Sequence, residues 1–362
     1  MFVSFLSILS AEVFMDCFLS FVRKRNWTVW SLWAAAVFCF GICGCGIDSG
    51  KSLDEGISLV TWNVQTFFDG VANGCEYDEF KKGGNWNKEK YYERLERLCD
   101  SLKKLDADVI VLEEIENQAV IHDICNLLSG DDWNLNKKWN YSCFAKPEKT
   151  AIGCAVLSRF ELVEMKVHDL DVRIQTKKQP SLRYLMEVRL DCGGKELVLF
   201  VNHWKSKSGG AEESELWRDW QESVLTARLI KLGLNNGGRL PVVMCGDFNR
   251  DVREFVGCGF AENKNANVLL RSASFGAEEC VQVYSPWFGE DGTLSFETGS
   301  YYYKNNWEYI DQIFCSSNVR ITEFEPCTNG PWITSGGIPF SYKMYSGQGY
   351  SDHLPLKCKV SF

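Results

Sequence analysis

Between Pro241 and Asp251 a continuous apolar run, Val242-Val243-Met244-Cys245, gives way to Gly246-Asp247-Phe248-Asn249. The change of composition reads as a strand buried on both faces that ends in a carboxylate and a carboxamide. Period-2 geometry turns Asp247 and Asn249 to one side, where together they can hold one bound group. Gly, Asp and Asn are also common turn formers, so this stretch alone leaves a turn and a site both open. Other strand ends repeat the pattern. Val109-Ile110-Val111-Leu112 runs into Glu113-Glu114-Ile115-Glu116-Asn117, and Glu114 is the carboxylate set apart as a metal ligand; a solvated helix start is the plain alternative. Leu197-Val198-Leu199-Phe200-Val201 ends in Asn202-His203-Trp204-Lys205-Ser206-Lys207, which places one of only four histidines beside two lysines able to hold a phosphate chain. Asp311, among apolar residues in Tyr309-Ile310-Asp311-Gln312-Ile313-Phe314, needs a partner to be buried, and His353 in Ser351-Asp352-His353 can be that partner. A histidine paired in this way has a fixed tautomer and raised basicity, as a general base requires.

The elements that must position these groups alternate between strand and helix. Ile57 to Gln65 alternates and is rich in β-branched residues, a strand that delivers Asn63 and Gln65 on one face. Asn87 caps a helix to Leu105 through Tyr91, Leu95, Leu98 and Leu102. Gly153 to Ser158 reads as a core strand, and Arg183 to Leu190 with Glu196 to Asn202 as a hairpin across Cys192-Gly193-Gly194. Ser214 to Leu234 is an amphipathic helix feeding the strand at Val242. Phe255 to Trp307 lacks periodicity and reads as long loops over the site. Helix, strand, then acid is an α/β arrangement with its site at the carboxyl ends of strands.

The first 45 residues differ in character. Arg23-Lys24-Arg25 precedes an uncharged apolar run, Trp27 to Ile42, shorter than the roughly 20 residues of a membrane span. Ile42-Cys43-Gly44-Cys45 resembles a bacterial lipobox with Cys45 as the lipidated residue; an uncleaved membrane anchor is the alternative. The expected organisation is a lipoprotein signal over 1–45, a short linker over 46–56 and one catalytic domain over 57–362, on a protein exported and lipid-anchored to a bacterial membrane or secreted. The chain's net charge of −9 becomes −10 without those 45 residues, leaving 36 basic and 46 acidic. That excludes broad nonspecific nucleic-acid binding, while a local basic loop could still hold phosphates. Twelve cysteines follow Cys45 without a CxxC pair, which speaks against a zinc cage. Cys154, Cys245 and Cys315 read as small buried hydrophobes, and Cys75, Cys258, Cys280 and Cys327 as candidates for one or two bridges.

Taken in order, Trp62-Asn63-Val64, Glu113 to Asn117, Asn202-His203, Gly246 to Asn249, Tyr309 to Ile313 and Ser351-Asp352-His353 resemble the motifs of the endonuclease/exonuclease/phosphatase superfamily, the deoxyribonuclease I-like proteins. The resemblance covers residues 57 to 357 and implies a four-layer α/β/β/α sandwich of two mixed β-sheets flanked by helices. It implies phosphoester hydrolysis with a divalent metal, usually Mg2+, with Mn2+ or Ca2+ as alternatives. By this likeness Asn63 and Glu114 hold the metal with help from Asp352, and His203 binds or protonates the scissile phosphate. Asp247 and Asn249 orient nucleophile and phosphate, and Asp311 pairs with His353. Hard oxygen donors and a histidine near its ordinary pKa suit that chemistry. The Asn202 to Lys207 and Glu114 to Asn117 segments look most like exported bacterial nucleases, so nucleic acid is the expected substrate, with Lys205 and Lys207 binding it. A sphingomyelinase-like or inositol-phosphate phosphoesterase at the membrane is the second reading. An inactive binding module is disfavoured because every motif position keeps its chemical group.

Overall fold

A computed structural model describes residues 56–362 except 75, 83–84, 131–137, 173–176, 257–266 and 273–278. Cys45, Cys75, Cys258 and the whole 1–45 signal therefore lie outside the described residues, as do all but one residue of the 46–56 linker. In chain order the elements are β1 Ile57–Phe67, α1 Asp78–Lys82, α2 Lys88–Leu105, β2 Val109–Ile115, α3 Gln118–Leu128, β3 Tyr141–Ala145, β4 Gly153–Ser158 and β5 Glu161–His168. There follow β6 Leu185–Asp191, β7 Glu196–His203, α4 Ala211–Lys231, β8 Val242–Asp247, β9 Val268–Ser272 and β10 Glu279–Val283. Last come β11 Tyr301–Tyr303, β12 Asn306–Glu308, β13 Asp311–Cys315, β14 Arg320–Pro326 and β15 Leu356–Ser361.

Two sheets carry the fold. One runs β14-β15-β1-β2-β4-β3 and the other β13-β8-β7-β6-β5. Each contains one parallel pair, β1 with β2 and β7 with β8, among antiparallel neighbours, so both sheets are mixed. The apolar pattern explains the layering. On β1, Ile57 and Leu59 enter the core between the sheets, whereas Val60, Trp62 and Val64 pack with Leu95, Leu98 and Leu102 of α2. Both faces of the strand are buried, so apolar residues fall on each of them between the polar ones. On the far side α4 sets Trp217, Leu225 and Leu229 against the second sheet. The result is the four-layer sandwich anticipated above.

Local chemistry fixes the helix ends. The Asn87 side chain accepts from the Lys90 backbone N–H, a cap contributing about 1 kcal/mol. The helix stops at Asp106, whose backbone is left-handed with φ 44°. Among the described residues no helix is long and apolar enough to cross a membrane.

The structure corrects two expectations. Phe255 to Trp307 is not uniformly loop: β9 pairs with β10, and β11 with β12. Of the four bridge candidates, Cys280 and Cys327 are free thiols. Cys154, Cys245 and Cys315 are buried inside strands, and burial pushes each thiol above its ordinary pKa.

Candidate functional site

The second sheet presents three site residues in one row across adjacent strands. In its register Asp311 of β13 pairs with Asp247 of β8, and Asp247 pairs with His203 of β7. Gly246 permits this close approach, since its φ is 122° and an added Cβ would lie 2.0 Å from the Asn202 carbonyl oxygen. The first sheet faces the row with Asn63 of β1, the last residue before that strand's register shifts. Its Nδ2 donates to Asp247 Oδ2 at 3.0 Å and to Glu114 Oε1 at 3.2 Å, joining the two sheets through one amide.

Glu114 reaches this point through an irregularity. Strict alternation would aim Glu113, opposite Asn63, between the sheets and Glu114 toward the helices. The β2 register shifts between Glu113 and Ile115, and Glu114 takes a left-handed φ of 67°. That bulge re-aims Glu114 into the site, where its Oε2 also accepts from the Thr66 backbone N–H. Glu113 stays inside, accepting from Thr61 Oγ1 at 2.8 Å with its other oxygen unpaired, and burial lifts its pKa well above the carboxylate range. It lies behind the site, where burial disfavours its charged form.

Asn249 turns back on Asp247. Its φ is 48°, and its Nδ2 donates to Asp247 Oδ2 at 2.9 Å while its backbone N–H donates to Oδ1. Asp247 is thus held by Asn63, by the Asn249 side chain and by the Asn249 backbone. Burial, followed by the charge of Asp311, still pushes its pKa up to about 7. A buried carboxylate so placed is stabilised by any cation brought to it.

The two histidines are driven apart. His353 Nδ1 lies 2.8 Å from Asp311 Oδ2, the pairing expected from the sequence. Burial opposes its charge, but the Asp311 charge and hydrogen bond, with Asp247 and Asp352, hold it well above the usual histidine value. His353 in this state gives a proton or pairs with an anion, and serves as a base only after that proton has left. His203 is the reverse case. Burial first, and then the positive charges of Arg183, His353 and Lys205, hold it neutral. Its Nε2 is 3.7 Å from both Glu114 Oε1 and Asp247 Oδ2. Two groups of one type with opposite proton states form a natural acid–base pair.

Asp247, Asp311 and His353 form a group of three whose donor atoms lie within 4.8 Å of one another. Glu114 and Asp247 make a second corner beside it, bridged by the Asn63 NH2 while the Asn63 Oδ1 accepts from the Gln65 backbone N–H. Carboxylate oxygens without a thiol among them fit a hard divalent cation, and the raised pKa of Asp247 marks where its charge would count most. Asp352 is half-buried beside His353, and its charge is felt by His353, Tyr301 and Arg94. Lys205 and Lys207 are engaged locally. Lys205 Nζ donates to the Ser206 carbonyl at 2.8 Å and Lys207 Nζ lies 3.3 Å from Glu308 Oε2.

Several positioning residues escaped the sequence reading. Arg94, 2 % exposed on α2, donates to the carbonyls of Val64, Gln65 and Thr66, clamping the irregular end of β1. Gln65, expected on the Asn63 face of β1, instead turns away from the site: its backbone is left-handed with φ 52° and its Oε1 accepts from the Tyr342 backbone N–H. Ser351 Oγ donates to the Asn63 carbonyl and accepts from the His353 backbone N–H. Arg250, directly after Asn249, is gripped by Glu215, Asp219 and Glu222 of α4. Arg183 supplies a cation beside His203. A buried arginine on a helix is invisible to periodicity. For Ser351 the signal was its place two residues before His353.

A model of the Endonuclease/Exonuclease/phosphatase family matches residues 58–325, which contain all the site residues except Asp352 and His353. The chain belongs to that family. It is accordingly a metal-dependent phosphoric ester hydrolase. The chain is similar to nocturnin of Xenopus laevis, 25% identical over 328 residues that cover 87% of this chain and 75% of that protein. Rat nocturnin is 23% identical, with 84% and 66% covered. These relatives are vertebrate proteins rather than exported bacterial nucleases, so the finer likeness suggested by Asn202 to Lys207 is not the one that they carry. Among solved structures, Caenorhabditis elegans TDP2 superposes with a TM-score of 0.50 at 15% identity, covering 84% of this chain and 97% of that one. A Bacteroides thetaiotaomicron mannosyl-6-phosphatase gives a TM-score of 0.50 at 14% identity, with 84% and 100% covered. Both share the fold.

Proposed function

We propose that this hydrolase is a nuclease that cleaves phosphodiester bonds of nucleic acid with Mg2+, Mn2+ or Ca2+ being the other candidate ions. The observation that carries the reading is a basic groove beside His203 on an otherwise acidic protein. Lys177, Lys178 and Lys205 line one depression with Gly209, Gly210, Trp217 and a single acid, Glu213. Lys207 follows on the same loop, paired with Glu308. A single phosphorylated headgroup would fill only the centre, whereas a polynucleotide continues past it and has further phosphates to place against such a groove. Asn63 and Glu114, with Asp247 and Asp352, would hold the ion. When bound it neutralises phosphate charge and lowers the pKa of its water. His203 donates a hydrogen bond to a phosphate oxygen, Asn249 keeps Asp247 oriented, and Asp311 orients His353 and favours its protonated form.

Replacing Lys205 and Lys207 together by alanine is expected to raise KM on a long polynucleotide more than on a minimal nitrophenyl phosphodiester. Each lysine that pairs with a phosphate contributes roughly 0.7 to 0.9 to the slope of log affinity against log salt, so the double variant should flatten that slope by up to about 2. An unchanged slope, or faster wild-type cleavage of sphingomyelin or an inositol phosphate than of nucleic acid, gives the enzyme to the phosphoesterase reading. We also propose that the chain is exported and acylated at Cys45, supported by Arg23-Lys24-Arg25, the apolar run and the lipobox-like Ile42 to Cys45. The mass of the mature N-terminal peptide decides that point: an unmodified Cys45 within an intact N-terminus removes it.

A further inference from the structure

The β11–β12 hairpin lies against His353, and nothing in the chemistry above uses it. Its turn residues, Lys304 and Asn305, both have left-handed backbones, φ 47° and 65°, as a tight two-residue hairpin connection demands. The hairpin is fastened to both members of the Asp311–His353 pair. Ser300 Oγ accepts from the Asp311 backbone N–H at 3.1 Å, and the Ser300 carbonyl accepts from the Leu354 backbone N–H at 2.7 Å. Tyr301 and His353 also form a backbone bridge. A stiff element tied to catalytic groups at its base holds its side chains in fixed register with them.

Period two puts Tyr301 and Tyr303 on one face. The Tyr301 ring is 4.7 Å from the His353 ring, and the charges of Asp352 and Asp247 reach it. The Tyr303 ring follows at 6.1 Å from that of Tyr301, inclined by only 18°, and the residue is 48% exposed. Lys304 Nζ lies 5.1 Å from the centre of the Tyr303 ring. Tyr302 points the other way and packs edge-on against Trp307 at 5.0 Å. Two nearly parallel tyrosine rings therefore run from the catalytic histidine, whose own ring is inclined by 38° to that of Tyr301, out to solvent, with Lys304 at the outer end and Lys207 at the base through Glu308.

We propose that this face is a stacking platform for an unpaired base next to the scissile phosphate, which makes single-stranded polynucleotide the substrate class. The inference rests on the nuclease reading. A sugar ring could also lie on one tyrosine, but one hexose would not need two rings in series with cations at both ends. A base in a duplex has its faces covered by its neighbours and could not use the platform.

The test compares kcat/KM of the purified full chain, with Mg2+, on single-stranded RNA and DNA oligonucleotides and on tetrahydrofuran abasic oligonucleotides of the same length. Tyr303→Ala is expected to lose roughly 5- to 150-fold more on base-bearing than on abasic substrates, mostly through KM, and Tyr303→Phe to recover it. Wild type should also prefer the single strand to its duplex. Equal loss on both substrates, loss that phenylalanine does not rescue, or duplex cleaved as fast as single strand overturns the platform. Wild type that cleaves oligonucleotides while Tyr303→Ala changes nothing removes the platform alone. Wild type that cleaves no oligonucleotide yet hydrolyses a hexose phosphate or sphingomyelin removes the nuclease reading and the platform with it.

Discussion

An Asp247→Asn variant should lose turnover by about 10³-fold or more and yet melt no lower than wild type. The two effects have one cause. Asp247 is 2 % exposed, it stands where Asn63, Glu114, Asn249, His203 and Asp311 converge, and burial together with Asp311 pushes its pKa up to about 7. The amide keeps the shape and removes the cost of a buried charge, but its one acceptor oxygen cannot serve all three N–H groups of Asn63 and Asn249, and it cannot carry the charge that a cation or an oriented nucleophile requires. The pH dependence follows with a definite sign. The folded pKa lies above the ordinary 3.8, so the contribution of this group to stability is fully present below 3.8 and is lost as pH rises through about 7. In chelator, wild-type melting should fall between about pH 4 and about pH 7, and Asp247→Asn should flatten that fall. A steep loss of stability in the variant would mean that Asp247 is a structural residue, and its place at the centre of the site would have to be given up.

Alanine at His353 or at His203 should each lower kcat by roughly 10²- to 10⁴-fold, for opposite reasons. His353 is held charged by Asp311, and its loss removes a proton donor and a positive charge. His203 is held neutral by burial and by Arg183, and its loss removes a hydrogen bond to the phosphate. The pH–rate profile separates the two. Deprotonation of His353 should set the alkaline limb, and Asp311→Asn, which takes away the charge that raises the His353 pKa, should move that limb to lower pH. An alkaline limb that stays in place in Asp311→Asn contradicts the pairing as the source of the His353 charge.

Much of the site was legible because most of its groups sit at strand ends, where an apolar run gives way to a polar residue. Asp247, His203 and Asp311 were placed in one row by sheet register alone. Asn63 was legible as a strand residue, but its role as the amide linking the two sheets required tertiary structure. Glu114 shows the limit of periodicity. Alternation favours Glu113, and only the bulge with its left-handed backbone brings Glu114 forward beside Asn63. The final strand is a different failure. Leu356, Cys358 and Val360 alternate with Lys357 and Lys359 in a legible strand pattern that the sequence reading passed over, and it pairs with β1. The β11–β12 hairpin was hidden by its composition: Lys304-Asn305 lacks the glycine that usually marks a two-residue turn. Arg94 and Arg250 could not be foreseen, because what they clamp is backbone and carboxylates brought close only by tertiary folding.

If a divalent cation held at Asn63, Glu114 and Asp247 drives phosphodiester cleavage, oligonucleotide cleavage by the full chain should depend on it. Measured after chelation and then during titration with Mg2+, wild type should show no cleavage in chelator and saturable recovery with Mg2+, and Glu114→Gln a Mg2+ requirement raised at least about tenfold. Full activity in chelator, or the same Mg2+ requirement in both proteins, would contradict it.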